Sequence, residues 1–241
     1  MGRGVFITGT GTEVGKTVVT AGLLRCLREK GIDAVPMKPI QTGGVPTSSG
    51  LQAPDLDFCL ETAGLHPSAD ELCLMAPYIY GPACSPHLAG RMAAHYPDIS
   101  HITRCAGELL GKHDVLLVEG AGGVMPPLDE STTMADLMVE LGFPVLLVSH
   151  SGLGTINHTL LSVEALKTRG LDVLGIVFND VTPQPGESTF IKEDNPATIA
   201  RFGEVEVLGT LGNLGNLTPE SRELWQNFSD SMGKLLALFS T

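Results

Sequence analysis

Two rhythms of apolar residues alternate along the chain. Gly4–Thr8, Val115–Glu119, Val145–Ser149 and Val173–Phe178 are short, continuous apolar runs rich in β-branched residues, the pattern of strands buried on both faces. Asp33–Met37 and Val205–Leu208 are weaker examples of the same kind. Between them, apolar residues recur at three- and four-residue spacing and predict helices over Thr17–Lys30, Ile99–Gly111, Thr133–Leu141, Thr155–Arg169 and Ala197–Phe202. This alternation predicts an α/β fold, a mostly parallel sheet flanked by helices on both faces, with ligands at the carboxyl ends of the strands. Gly43–Gln52, rich in Gly, Ser, Thr and Pro, reads as a surface loop. Leu224, Trp225, Phe228, Met232, Leu235, Leu236 and Phe239 give the stretch from Pro219 to Phe239 one apolar face, as a packing helix requires.

Composition narrows the range of functions. The 241 residues, 43% of them apolar, suffice for a large core and read as one domain over residues 1–241. A formal net charge of −12 argues against a surface built for nucleic acid or anionic lipid, both of which call for clustered Lys and Arg. Small-molecule ligands are the expectation. Cys26, Cys59, Cys73, Cys84 and Cys105 form no C-x-x-C pair, which suits reduced thiols. The N-terminus lacks the pattern of a signal peptide, and no apolar run approaches the roughly 20 residues of a membrane span. The expected location is the cytoplasm.

The sharpest chemical signal is Gly9-Thr10-Gly11-Thr12-Glu13-Val14-Gly15-Lys16-Thr17, placed between a predicted strand and a predicted helix. Glycines let backbone N–H groups approach phosphate oxygens, and the helix start adds a favourable dipole. Lys16 can bridge the outer phosphates of a nucleoside triphosphate, and the Thr17 hydroxyl can ligate magnesium. The loop is a variant, because Thr10 stands where the usual G-x-x-x-x-G-K-[ST] pattern has glycine. One hydroxyl holds magnesium weakly, so carboxylates are expected at neighbouring strand ends. Glu119 closes the run Asp114–Glu119, and Gly120-Ala121-Gly122-Gly123 lets the chain pass close to a ligand. Asp55 is a second candidate, although spacing alone does not separate it from Asp57, Glu61 and Asp70. Lys38, extended before Pro39, can carry its side chain past a strand end toward an anion; Thr42 can add a hydroxyl.

Taken together, these residues resemble the dethiobiotin synthetase family of P-loop enzymes over nearly the whole chain. The match runs through Thr8-Gly9-Thr10-x-Thr12-Glu13-Val14-Gly15-Lys16-Thr17, Lys38-Pro39 with Thr42, Asp55, Ser85-Pro86-His87, Val118-Glu119-Gly120-Ala121-Gly122-Gly123, Leu153-Gly154-Thr155-Ile156-Asn157-His158 and Asn179-Asp180-Val181-Thr182-Pro183. The resemblance implies a homodimer that closes the ureido ring of dethiobiotin from 7,8-diaminopelargonic acid, carbon dioxide or bicarbonate, and magnesium-ATP. It implies catalytic roles for Lys16 and Lys38 and metal ligation by Thr17, Asp55 and Glu119. Nucleotide contacts are implied for Glu13, Val14, Gly15, Lys16, Thr17, Val18, Asp55, Glu119, Gly120, Ala121, Gly122, Asn179, Asp180, Gly212, Asn213 and Leu214. Substrate contacts are implied for Thr12, Lys38 and Thr42, and for Leu153, Gly154, Thr155 and Asn157 at a helix start that receives the substrate carboxylate.

Two departures accompany the match. Thr42 replaces the family's usual serine, keeping the hydroxyl and adding a methyl group. Gly212-Asn213 interrupts the Pro-x-Leu element that often borders the base, which leaves base selectivity open. Ser85-Pro86-His87 reads most simply as a serine N-cap with proline in the first turn. A partition- or septum-type switch ATPase is the main alternative; those proteins carry a lysine five residues before the main one, where this chain has Gly11. An amidotransferase-type synthetase would need a glutaminase nucleophile that nothing in the sequence suggests.

Overall fold

The computed structural model describes residues 2–48, 50–180, 189–212 and 217–239. Six strands form a parallel sheet: β1 (Arg3–Gly9), β2 (Ala34–Met37), β7 (Val115–Glu119), β8 (Val145–Ser149), β9 (Val173–Asn179) and β10 (Val207–Leu211). Their order is β10-β9-β8-β1-β7-β2. From β1 the chain moves to the β2 edge and returns through β7, then steps outward through β8, β9 and β10. The carboxyl end of β1 therefore lies at the reversal of strand order, where ligands of open α/β sheets bind.

Continuous apolar strands form because both sheet faces are covered. Val5 and Ile7 of β1 pack with Leu23, Leu24 and Leu27 of α1 (Lys16–Glu29), while Phe6 between them faces Met134 and Leu137 of α6 (Met134–Leu141) on the other side. Leu147, Ile176 and Phe178 meet Val163 of α7 (Thr155–Thr168) and Ile199 of α8 (Thr189–Gly203). Helix α6 begins at a capping box in which Thr133 and Asp136 exchange hydrogen bonds, satisfying N–H groups that a helix start leaves free.

Several expectations change. Gly43–Gln52 contains a small antiparallel hairpin, β4 (Val45–Thr47) with β5 (Gly50–Gln52), rather than an irregular loop. Its strands lie on the surface, so no buried apolar face announces them. Residues between β2 and β7 supply, besides the expected helix α5 (Ile99–Leu110), strand β3 (Ile40–Thr42) paired with β6 (Tyr78–Tyr80) and helices α2 (Pro54–Ala63), α3 (Ala69–Met75) and α4 (Pro86–Met92). Helix α8 begins at Thr189 and carries Pro196 inside it, although proline ordinarily ends a helix. The last sheet strand is displaced from Val205–Leu208 to Val207–Leu211, with a register shift between Val207 and Gly209. The C-terminal stretch keeps its apolar face but divides into α9 (Arg222–Ser231) and α10 (Gly233–Ala237) around Met232. Among the described residues no helix is long and apolar enough to cross a membrane.

Candidate active site

The loop after β1 turns into α1 through Gly15, whose φ of 88° is left-handed, a conformation that costs glycine little. A Cβ at Gly15 would stand 1.7 Å from Nδ2 of Asn179. That close approach has a purpose: Asn179 donates Nδ2–H to the Val14 carbonyl at 3.0 Å and so ties the loop to the end of β9. Its Oδ1 is buried and accepts from no described group. Lys16, also buried, folds back to donate to the Gly11 carbonyl at 2.8 Å. Burial lowers the Lys16 pKa to about 8; Glu119 and Asp55 oppose the shift and Lys38 reinforces it.

Glu119, 3% exposed, ends β7 beside this loop. One of its oxygens, Oε1, accepts from the Thr17 hydroxyl at 2.9 Å and from Lys38 Nζ at 2.6 Å. Lys38 reaches it from just past β2 and pairs equally closely with Asp55 Oδ2, at 2.6 Å. Burial alone would lower the Lys38 pKa, but the two carboxylates outweigh it and hold it above the ordinary lysine range. Lys38 is thus a buried cation rather than a solvated surface lysine. Asp55 lies in the first turn of α2 behind Ala53 at the N-cap, so it is an ion-pair partner and not a helix cap.

These groups surround a cavity of about 690 Å³, whose lining also includes Thr12, Glu13, Gly15, Thr42, Ala121 and Gly122. That size suits a small-molecule ligand. Gly120 offers its carbonyl to Lys38 at 3.4 Å, while Val18 follows in α1. The hydroxyl of Thr17 with the carboxylates of Glu119 and Asp55 is a set of hard oxygen donors, of the kind magnesium takes alongside phosphate and water.

Gln41 carries no signal in the sequence. Its side chain is buried, accepts from the Asp55 backbone N–H at 3.3 Å and donates to Asp55 Oδ2 at 3.4 Å, which orients the carboxylate. No motif marks a lone glutamine on so short a strand. Ser85 is the N-cap residue of α4 and Pro86 follows in its first turn, as expected, although the serine side chain makes no capping bond. Ser85 and Pro86 line the cavity.

The remaining predicted residues lie elsewhere. Leu153, Gly154, Thr155 and Asn157 stand at the start of α7, outside the cavity lining, with Leu153 83% exposed. Gly154 is the left-handed N-cap, with φ of 90° and no side-chain cap. The Thr155 side chain is buried in a hydroxyl cluster with Ser149 and Thr159, so only backbone and exposed neighbours remain to meet a ligand there. Asp180 directs its carboxylate to the backbone N–H of Ser151 at 3.0 Å and also accepts from the Ser151 hydroxyl. Gly212 follows β10, whose Leu211 pairs with Asn179, so it lies near the buried amide. Asn213, Leu214 and the motif residues Val181, Thr182 and Pro183 fall outside the described residues.

Comparison with known proteins identifies the family. A family model described as an AAA domain matches residues 3–221. A protein of Anaeromyxobacter sp. (strain K) named ATP-dependent dethiobiotin synthetase BioD is 41% identical over 209 residues, covering 87% of this chain and 89% of its own. A namesake from Anoxybacillus flavithermus is 36% identical over 229 residues, covering 93% of this chain and 100% of its own. Among solved structures, the septum site-determining protein MinD of Pyrococcus horikoshii, complexed with Mg-ADP, superposes with a TM-score of 0.60 at 16% identity, covering 100% of this chain and 97% of its own. At that identity the likeness is one of fold alone. With relatives at this level over most of its length, the chain belongs to the ATP-dependent dethiobiotin synthetase family.

Proposed function

We propose that the protein converts 7,8-diaminopelargonic acid, carbon dioxide and ATP into dethiobiotin, ADP and phosphate. The observation that carries this reading is Lys38, a buried cation held between Asp55 and Glu119 in the same cavity as Lys16 and Thr17. One substrate amine adds to carbon dioxide and loses a proton, giving a carbamate. A carbamate oxygen attacks the γ-phosphorus and ADP leaves. The second amine then attacks the carbonyl carbon of the mixed anhydride, closing the ring and expelling phosphate.

The chain's part is positioning and charge stabilisation. Lys38 faces the carbamate and offsets its charge. Lys16 leaves the Gly11 carbonyl to bridge the outer phosphates, and the loop N–H groups at the start of α1 cradle them. Thr17, Asp55 and Glu119 would hold magnesium, which supplies charge neutralisation to the phosphates. Asn179, whose Oδ1 has no partner among the described groups, would accept from a base amino group. The start of α7 would receive the substrate carboxylate at the surface of a partner subunit, in a cytoplasmic homodimer. A switch ATPase shares the fold, but glycine rather than lysine occupies position 11. The test is direct: purified protein, magnesium-ATP, bicarbonate and the diamino acid should yield dethiobiotin and phosphate by mass spectrometry. Absence of ring product with every nucleotide overturns the assignment.

A further inference from the structure

The turn from β8 into α7 is fastened at its base and free at its tip. Ser151 and Gly152 are buried, while Leu153 and Gly154 project into solvent. Nδ2 of Asn195, a residue of α8 that is 6% exposed, donates to the Ser151 carbonyl at 2.7 Å and to the Gly152 carbonyl at 3.0 Å. From the end of β9, Asp180 takes the Ser151 N–H and hydroxyl. His150 donates Nδ1–H to the Asn179 carbonyl at 2.6 Å. Thus Ser151 has its donors held by one side chain and its acceptor by another. Asn179 in turn grips the phosphate loop at Val14. A buried amide that donates to two consecutive carbonyls fixes the orientation of both peptide planes, and with them the direction of the N–H groups that follow.

We infer that Asn195, with Asp180, is a positioning residue for substrate recognition: it fixes the turn that aims the α7 N-terminus at the substrate carboxylate. This rests on the proposed synthetase reading, which places that carboxylate at the α7 start. Asn195 itself touches no reacting atom; it acts through Ser151 and Gly152. The inference separates the two amide-bearing groups near β9: Asn179 serves the nucleotide side, and Asn195 the acid-binding turn.

The experiment compares two substrates, the diamino acid and the diamine of equal chain length with methyl in place of carboxylate. Asn195→Asp swaps the donor for an oxygen facing two carbonyls, and Asn195→Ala removes the donor without adding charge in a helical position that alanine suits. Both variants should raise KM for the diamino acid about tenfold, the loss of roughly one oriented hydrogen-bond set, with kcat and the Kd for magnesium-ATP within about twofold of wild type. KM for the methyl diamine should not change in either variant. Equal losses on both substrates, or an unchanged KM for the acid in Asn195→Ala, overturn the inference by making Asn195 merely structural or dispensable. The synthetase reading fails separately, if wild type closes neither substrate. If wild type closes both with equal KM, the carboxylate is not recognised and the inference falls while ring closure stands.

Discussion

Gly15→Ala tests the junction between the phosphate loop and β9. The new methyl group would sit 1.7 Å from Asn179 Nδ2 and 2.7 Å from its Cγ, at a backbone φ of 88°. Left-handed backbone at a residue with a Cβ costs about 1–2 kcal/mol. Asn179 must also move away, and the Val14 carbonyl, on a residue 5% exposed, loses its 3.0 Å donor; an abandoned buried acceptor costs about 1–3 kcal/mol. The expected total is about 2–5 kcal/mol, and at roughly 2–4 °C per kcal/mol for a domain of this size Tm falls by about 4–20 °C. A double-mutant cycle isolates the contact. In an Asn179→Ala background the methyl group has no amide to strike, so Gly15→Ala should cost only its backbone strain, leaving a coupling of about 2 kcal/mol. Urea unfolding followed by fluorescence of Trp225, the single tryptophan and 2% exposed, measures each corner of the cycle. Equal costs for Gly15→Ala in both backgrounds would refute the steric coupling.

Three further outcomes follow from the ion-pair network. Lys38→Ala should lower kcat by about a hundredfold to a thousandfold, as loss of one charge-stabilising group does, while the Kd for ATP by calorimetry stays within about twofold; a matching loss of ATP affinity removes Lys38 from the carbamate. Glu119→Gln keeps the shape of β7 but should shift magnesium activation to about tenfold higher concentration, and an unchanged activation curve takes Glu119 out of the metal site. If ATP requires the protonated form of Lys16, a pKa near 8 means that this form falls from about nine-tenths at pH 7 to about one-tenth at pH 9. ATP affinity should therefore weaken about tenfold over that interval, with about half a proton taken up on binding at pH 8 when buffers of different ionisation enthalpy are compared. A flat Kd across the interval contradicts the requirement.

What the sequence makes legible depends on how local the cause is. The phosphate loop is specified by consecutive residues, and its place between β1 and α1 follows from them. The parallel strands are legible for a similar reason, since burial on both faces writes a continuous apolar run. Helix α3 had a readable start as well, the Ser68-Ala69-Asp70-Glu71 capping box, yet its short length leaves little periodicity to confirm it. Lys38, Asp55 and Glu119 are individually visible as candidates, but nothing along the chain says that one lysine pairs with both carboxylates at 2.6 Å. Gln41 and Asn195 are less visible still. Each is a lone amide whose role exists only where separate elements meet, and Pro196 draws attention away from the helix that carries Asn195.

The network around Lys38 answers a difficulty inherent in the proposed chemistry. A neutral amine adds to carbon dioxide whether it belongs to the substrate or to the enzyme, so a buried lysine beside the reacting carbon is a competitor for it. Burial by itself would push Lys38 toward that neutral form, as burial does for Lys16. Asp55 and Glu119 reverse the tendency and keep Lys38 an ammonium, which has no lone pair to add to carbon dioxide but retains the positive charge that a substrate carbamate needs. Both carboxylates are also the proposed magnesium ligands, and Glu119 already shares one oxygen between Lys38 and Thr17. On the proposed reading the same pair of acids would link the lysine's protonation to the phosphate end of the cavity: a lysine charged for the carbamate and a metal bound for the phosphates would draw on one set of oxygens, and phosphoryl donor and acceptor would lie side by side.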